Sequence, residues 1–220
     1  MKQFFTVFLL IALLAGAALA SGQSDAESRA REIAGTDARL VETDREGRFT
    51  EFEFVARDAN ITVLLNTAAL SPLLKETEYF GAGRAKSASL PEADAIEAAI
   101  ALVPGGSAVY AAVETDDGAP EWKIFVQTEN TLVQISLNAE TGATTEVKEA
   151  YSSALLSPEM AFQALSLASK NGKAQVKEIS IDFDEDRARF VYEGEALSDG
   201  RVFEFEVNAE TGEVVEWERD

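Results

Sequence analysis

The chain has 220 residues, with 19 basic and 39 acidic side chains and a formal net charge of -20, a balance that repels nucleic-acid phosphates and anionic membrane surfaces, which are bound by clustered Lys and Arg. It contains no His and no Cys, which excludes disulfides, thiolate metal sites, a lipid-modified cysteine and the commonest catalytic base. Basic proteins, cationic peptides and divalent cations are the electrostatically permitted partners, although a strongly acidic surface also serves solubility.

Lys2 precedes an apolar run from Phe4 to Leu14 and small residues ending in Ala18, Leu19 and Ala20. This is the pattern of a secretory signal peptide over residues 1–20, cut between Ala20 and Ser21. The apolar run is short for a bilayer core of about 30 Å, and no later stretch is long and apolar enough to span one. The mature chain is therefore expected in the periplasm or outside the cell, with no membrane span after cleavage.

In the mature chain, Ala26, Ala30 and Ile33 lie at helical spacing between Asp25 and Ala34, and Gly35 stops the helix. Strands are predicted at 38–44 and 48–56, then through Ile61, Val63 and Leu65, with a fourth after Asn66. Residues 81–89 are small and read as a linker. Pro91 begins a second helix whose apolar stripe is Ala95, Ile96, Ala99, Ile100 and Val103, ended by Pro104, Gly105 and Gly106. Strands follow at 107–114, 121–128, 131–138 and up to about 148. Trp122, Ile124 and Val126 alternate with Lys123 and Gln127, which predicts a sheet with one packed and one wet face. Ser157 and Pro158 open a third helix, and four more strands follow, the last carrying Val215 and Trp217.

The five residues Asn138, Ala139, Glu140, Thr141 and Gly142 recur as Asn208, Ala209, Glu210, Thr211 and Gly212. Each copy follows an alternating strand and opens another, and Asn and Gly tolerate the left-handed backbone of a tight turn. A shift of 66 positions also lays Ala161 on Ala95, Leu165 on Ala99 and Gly172 on Gly106. The expected architecture is α+β: three tandem units over residues 21–85, 86–153 and 154–220, each one helix on a four-stranded antiparallel sheet. In the diverged first unit Asn66 is kept, but Leu70 stands where the others have Gly, so its turn is expected to be built differently.

A Pro-initiated, Ala-rich helix with a Gly stop, then strands, then a closing Asn-Ala-x-Thr-Gly hairpin resembles the PepSY domain of peptidase propeptides and related exported proteins. Residues 91–148 and 158–217 carry the resemblance; residues 25–80 share only the outline. The resemblance implies a non-catalytic module that binds another exported protein, with a peptidase as the candidate target for inhibition or regulation. An envelope-associated structural scaffold and a weak divalent-cation binder are the alternative readings.

Asp182, Asp184 and Asp186 form a run resembling a calcium loop, with Glu193 at its twelfth position. Arg187 takes the sixth position, where such a loop needs Gly, so these are weak metal candidates and a solvated acidic turn is the better reading. No carboxylate pair stands out as an acid and base, so no catalytic residue and no cofactor is assigned. Phe125 and Val191 have the opposite parity to their neighbours, which points them outward as surface anchors unless a bulge intervenes.

Overall fold

The computed structural model describes residues 20–116, 118–169 and 172–219. Apart from Ala20, the expected signal peptide lies outside the described residues. Helix α1 (Ala20–Ala34) is followed by β1 (Arg39–Glu46), β2 (Phe49–Val55), β3 (Ala59–Asn66) and β4 (Ser71–Tyr79). Helix α2 (Glu92–Leu102) precedes β5 (Ser107–Asp116), β6 (Ala119–Gln127), β7 (Leu132–Asn138) and β8 (Thr144–Ala150). Helix α3 (Pro158–Ala168) precedes β9 (Gln175–Asp184), β10 (Arg189–Ser198), β11 (Arg201–Asn208) and β12 (Val214–Arg219). No helix among the described residues is long and apolar enough to cross a membrane.

The arrangement is α+β and antiparallel, but it is not three separate four-stranded sheets. β4 pairs with β8, with Leu74 opposite Ala150 and Glu78 opposite Glu146, and so joins the first eight strands in the order β1-β2-β3-β4-β8-β7-β6-β5. Only the last four form a sheet of their own, β12-β11-β10-β9. The physical reason is edge chemistry: left apart, β4 and β8 would each expose a row of backbone donors and acceptors, and pairing satisfies both rows at once.

Register assigns the faces. Ile61, Thr77, Val147, Ile135 and Ile124 stand in one row across the large sheet, and this face meets both of the first two helices. Ala26 and Ala30 of α1 bury against Phe52, Phe54, Ile61 and Val63, while Ala95 and Ala99 of α2 bury against Trp122, Ile124 and Ile135. Alanine at the contact positions lets a helix approach the sheet closely, and the large side chains come from the strands. Ala161 and Leu165 of α3 hold the equivalent positions and are buried too.

The opposite row runs Thr62, Glu76, Lys148, Gln134 and Phe125, and its face is not left to solvent. Phe49, Leu64, Leu74, Phe125 and Leu132 join Ile179, Ile181, Phe190 and Tyr192 of the small sheet in one core. Phe125 meets Tyr192 edge-on at 6.0 Å, and Tyr110 of β5 meets Phe162 of α3 at 5.2 Å. The expectation that Phe125 and Val191 face outward is thus corrected: they are 0% and 2% exposed. Phe125 does point away from Trp122, as parity says, but that face is covered by α3 and the small sheet. For the same reason the expected wet face is half-buried: Gln127 donates to the Leu155 carbonyl at 3.2 Å and Lys123 to the Ser136 hydroxyl at 2.9 Å.

The repeated turns share one construction. Asn138 Oδ1 accepts from the backbone of Glu140 and Thr141, both at 3.0 Å, and Gly142 N donates to the Asn138 carbonyl at 2.9 Å. Asn208 does the same with Glu210, Thr211 and Gly212. Gly142 and Gly212 both have φ 74°. The turn after β3, expected to differ, follows the same path: Leu70 N donates to the Asn66 carbonyl at 2.8 Å and Leu70 itself adopts φ 54°. A left-handed Leu costs about 1–2 kcal/mol, and here it is held by packing on the core beneath α1. Gly142→Val and Gly212→Val are each expected to lower stability by about 1–2 kcal/mol in chemical denaturation, because a β-branched residue opposes positive φ.

Candidate functional site

One face of the small sheet is built from carboxylates and opens to solvent away from Val191, which shares that face but is buried. In one cross-strand row Glu178 stands opposite Glu195, Glu195 opposite Glu204, and Glu204 opposite Glu218. In the next row Ser180, Glu193, Glu206 and Glu216 stand in the same order. All seven glutamates are exposed or half-exposed, and most of them line a shallow depression of about 290 Å3 around Gly194. Like charges directly opposite on neighbouring strands destabilise a sheet, so the fold carries this face at a cost. Arg187 reaches the rim, pairing with Glu206 at 3.1 Å.

These carboxylates are spread on the sheet lattice, about 5 Å apart across strands and about 7 Å along them. No group of three or more acidic side chains among the described residues is placed to hold a metal ion. A flat lattice of negative charge suits a row of Lys and Arg side chains on another surface. The sequence signal is present: Glu193 and Glu195, Glu204 and Glu206, and Glu216 and Glu218 are each two apart on successive strands, and period two places such pairs on one face.

Behind this face, the outer edge of β9 abuts the large sheet. Ile179 N donates to Glu114 Oε1 at 3.2 Å and Ile181 N to Gln134 Oε1 at 2.8 Å. Gln134 in turn donates to Glu146 at 3.0 Å, which fixes its orientation. Two side chains thus close a strand edge that would otherwise be open. The second oxygen of Glu114 is buried without a hydrogen-bond partner among the described residues.

Burial pushes Glu114 up to about 7, against the attraction of Lys123. Burial, with Glu53 and Glu185 nearby, also raises Glu51 to about 7. Glu76 and Glu146 share a proton site: burial raises Glu76 to about 7, while Lys148 and Lys123 overcome the burial of Glu146 and hold it low. Groups with a folded pKa above their unfolded value hold extra protons in the native state between about pH 4.5 and 7, so stability is greatest below that window and falls as pH rises through it. Thermal melts at pH 5.5 and pH 8 are expected to show the higher midpoint at pH 5.5, with Glu114 alone contributing about 2 kcal/mol of the difference. Glu114→Gln should flatten that dependence.

The aspartates singled out in the sequence do not converge. Asp184 caps the β9–β10 turn, accepting from Arg187 N and Arg187 Nη1, both at 2.9 Å; slight burial opposes its ionisation, but these bonds hold its carboxyl below the usual range. Asp182 accepts from the neighbouring Phe183 N at 2.7 Å, and Asp186 lies in the turn beyond β9. Asn138 and Asn208 work as turn builders, and Asn138 also ties down the segment before α2 through the carbonyls of Ala82 and Gly83, at 3.3 and 3.1 Å.

No curated protein matches the chain. Among solved structures, it is similar to the YpeB C-terminal domain of Bacillus megaterium, at 14% identity over 90% of this chain and 96% of that one, TM-score 0.35. It is also similar to a protein described as a lipoprotein from Clostridium difficile 630, at 18% identity over 60% and 93%, TM-score 0.34. A BLIP-like protein from Bacteroides fragilis shares 15% identity over 57% and 84%, TM-score 0.27. The family model for the peptidase propeptide and YPEB domain matches residues 89–148 and 163–218. Those two segments hold α2 with β5–β7 and most of β8, and the second half of α3 with β9–β11 and most of β12, each including its Asn-Ala-Glu-Thr-Gly turn, and the chain belongs to the PepSY family.

Proposed function

We propose that the protein is an exported, non-catalytic PepSY module that binds a basic surface of another exported protein, a peptidase being the first candidate, and suppresses or regulates it. The observation that carries this reading is the outward face of seven glutamates in two cross-strand rows, maintained against their mutual repulsion. The open edge of β12, the outermost strand of the small sheet, lies beside it. On the opposite side of that edge Trp217 stacks on Phe203 at 4.8 Å and 10°. A partner strand added to β12 would meet glutamates on one face and this aromatic platform on the other. The units at 21–85 and 86–153 supply the large sheet on which the third, 154–220, is mounted.

Affinity on this account comes from backbone pairing, an aromatic anchor and charge complementarity, so inhibition is steric and association is salt-sensitive. The test is a titration of the chain from Ser21 against exported peptidases of its host, at low and high salt, with residual activity as the readout. A dose-dependent loss of activity that weakens with salt is expected. If no peptidase is slowed and none is recovered in a pull-down, the inhibitor reading falls and the scaffold reading takes its place.

A further inference from the structure

A cavity of about 310 Å3 lies where the two sheets meet, between the β1–β2 turn, the segment after β8 and the β9–β10 hairpin. Two guanidinium groups line it. Arg48 lies over the Phe49 ring at 5.0 Å and has no ion-pair partner among the described residues. Among the described residues Arg189 pairs with Asp184 alone, at 3.9 Å, and its buried Nε has no hydrogen-bond acceptor. Arg48 is exposed at the mouth of the cavity and Arg189 is half-buried, so the cavity holds two guanidinium groups without a hydrogen-bonded carboxylate, one of them with a buried donor unused. The wall beside them is aromatic: Phe183 packs edge-on against Phe49 at 5.2 Å and against Phe190 at 5.0 Å.

We infer that this cavity binds a carboxylate carried on an apolar or aromatic body. Arginine's planar fork matches a carboxylate in two parallel hydrogen bonds, and the phenylalanine walls take the apolar part. The volume is at the small end for ligand sites, which limits the occupant to about one large residue. A phosphate dianion fits less well, because Asp184 stands beside Arg189 and Glu210, which accepts from Ser152 at 3.1 Å, also lines the cavity. Such a carboxylate is presented by the last residue of a peptide or by a small free acid. The site is separate from the glutamate face and does not depend on a peptidase as partner.

The experiment follows backbone amide resonances of the protein while N-acetyl-phenylalanine is added, with N-acetyl-phenylalaninamide, N-acetyl-Ala-Ala-Phe and inorganic phosphate as comparisons. Residues around Arg48, Asn66 and Arg189 are expected to shift with millimolar affinity for the acid, and the amide is expected to bind about tenfold more weakly. Arg48→Gln, at an exposed turn position, should leave the fold intact and lose a similar factor; Arg189→Gln should do the same. Tighter binding of the tripeptide would assign the site to chain ends, and equal binding to small acids, either result retaining the carboxylate. Equal affinity for acid and amide, displacement by phosphate at equal concentration, or no shift at the cavity would overturn the inference.

Discussion

Gly194→Ala is expected to cost about 3 kcal/mol or more and to disorder the small sheet first, because two penalties act at one atom. Gly194 sits in the central strand pair, opposite both Ile179 and Phe205. Its φ is 154°, and a Cβ built there overlaps the Glu178 carbonyl oxygen, which is backbone and cannot move aside. Gly200 sets the scale: with φ 73° and open space around its missing Cβ, it should cost only about 1 kcal/mol as Ala, the backbone preference alone. Urea denaturation of the two variants checks the difference. Equal losses would mean that β10 can shift away from Glu178.

Phe125→Ala is expected to lower stability by about 3–5 kcal/mol. Phe125 is 0% exposed, and it lies between Tyr110 at 5.9 Å and Tyr192 at 6.0 Å. Removing the ring opens a cavity at the docking surface of the two sheets. Hydrogen exchange should accelerate in β9 and β10 more than in β1–β3, because only the former depend on this contact for burial. A Trp122→Ala loss confined to α2 and its strands would be the contrasting case, since Trp122 packs on the helix face and donates to the Leu90 carbonyl at 3.1 Å.

Local signals in the sequence are sufficient for the elements. Alternation locates the strands, Pro91 and Pro158 the helix starts, and the repeat of Asn138–Gly142 at Asn208–Gly212 the closing hairpins. What period and punctuation cannot express is which edges meet. Nothing in Leu74 or Ala150 announces that β4 pairs with β8, because edge pairing is backbone chemistry that many side chains permit. The same gap misplaces Phe125: its parity is right, but parity names a face and not what covers it. The turn at Leu70 escapes the sequence because a missing Gly predicts a different path, whereas packing of Leu70 on the core beneath α1 offsets the left-handed strain. The glutamate face is legible in principle. Its residues are lost among 39 acidic side chains because the pattern is significant only once three successive strands are known to lie side by side.

In the proposed function a basic strand added to β12 lies beside the glutamate rows, whose summed charge attracts its Lys and Arg side chains. Glu195 and Glu204 face each other at the middle of one row, with Glu178 and Glu218 at its ends. The double substitution Glu195→Lys with Glu204→Lys gives that row no net charge and turns the repulsive contacts at its two ends into attractive ones. Relief of that repulsion should raise the melting temperature of the double variant, so lost binding cannot be ascribed to lost folding. The decisive measurement is the affinity of an extended peptide of alternating Lys and Val for the natural chain and for this variant at low salt. Binding to the natural chain is expected to weaken steeply with salt and to fall at least about tenfold in the variant. Equal affinity for the two chains, or binding indifferent to salt, would contradict the proposed function.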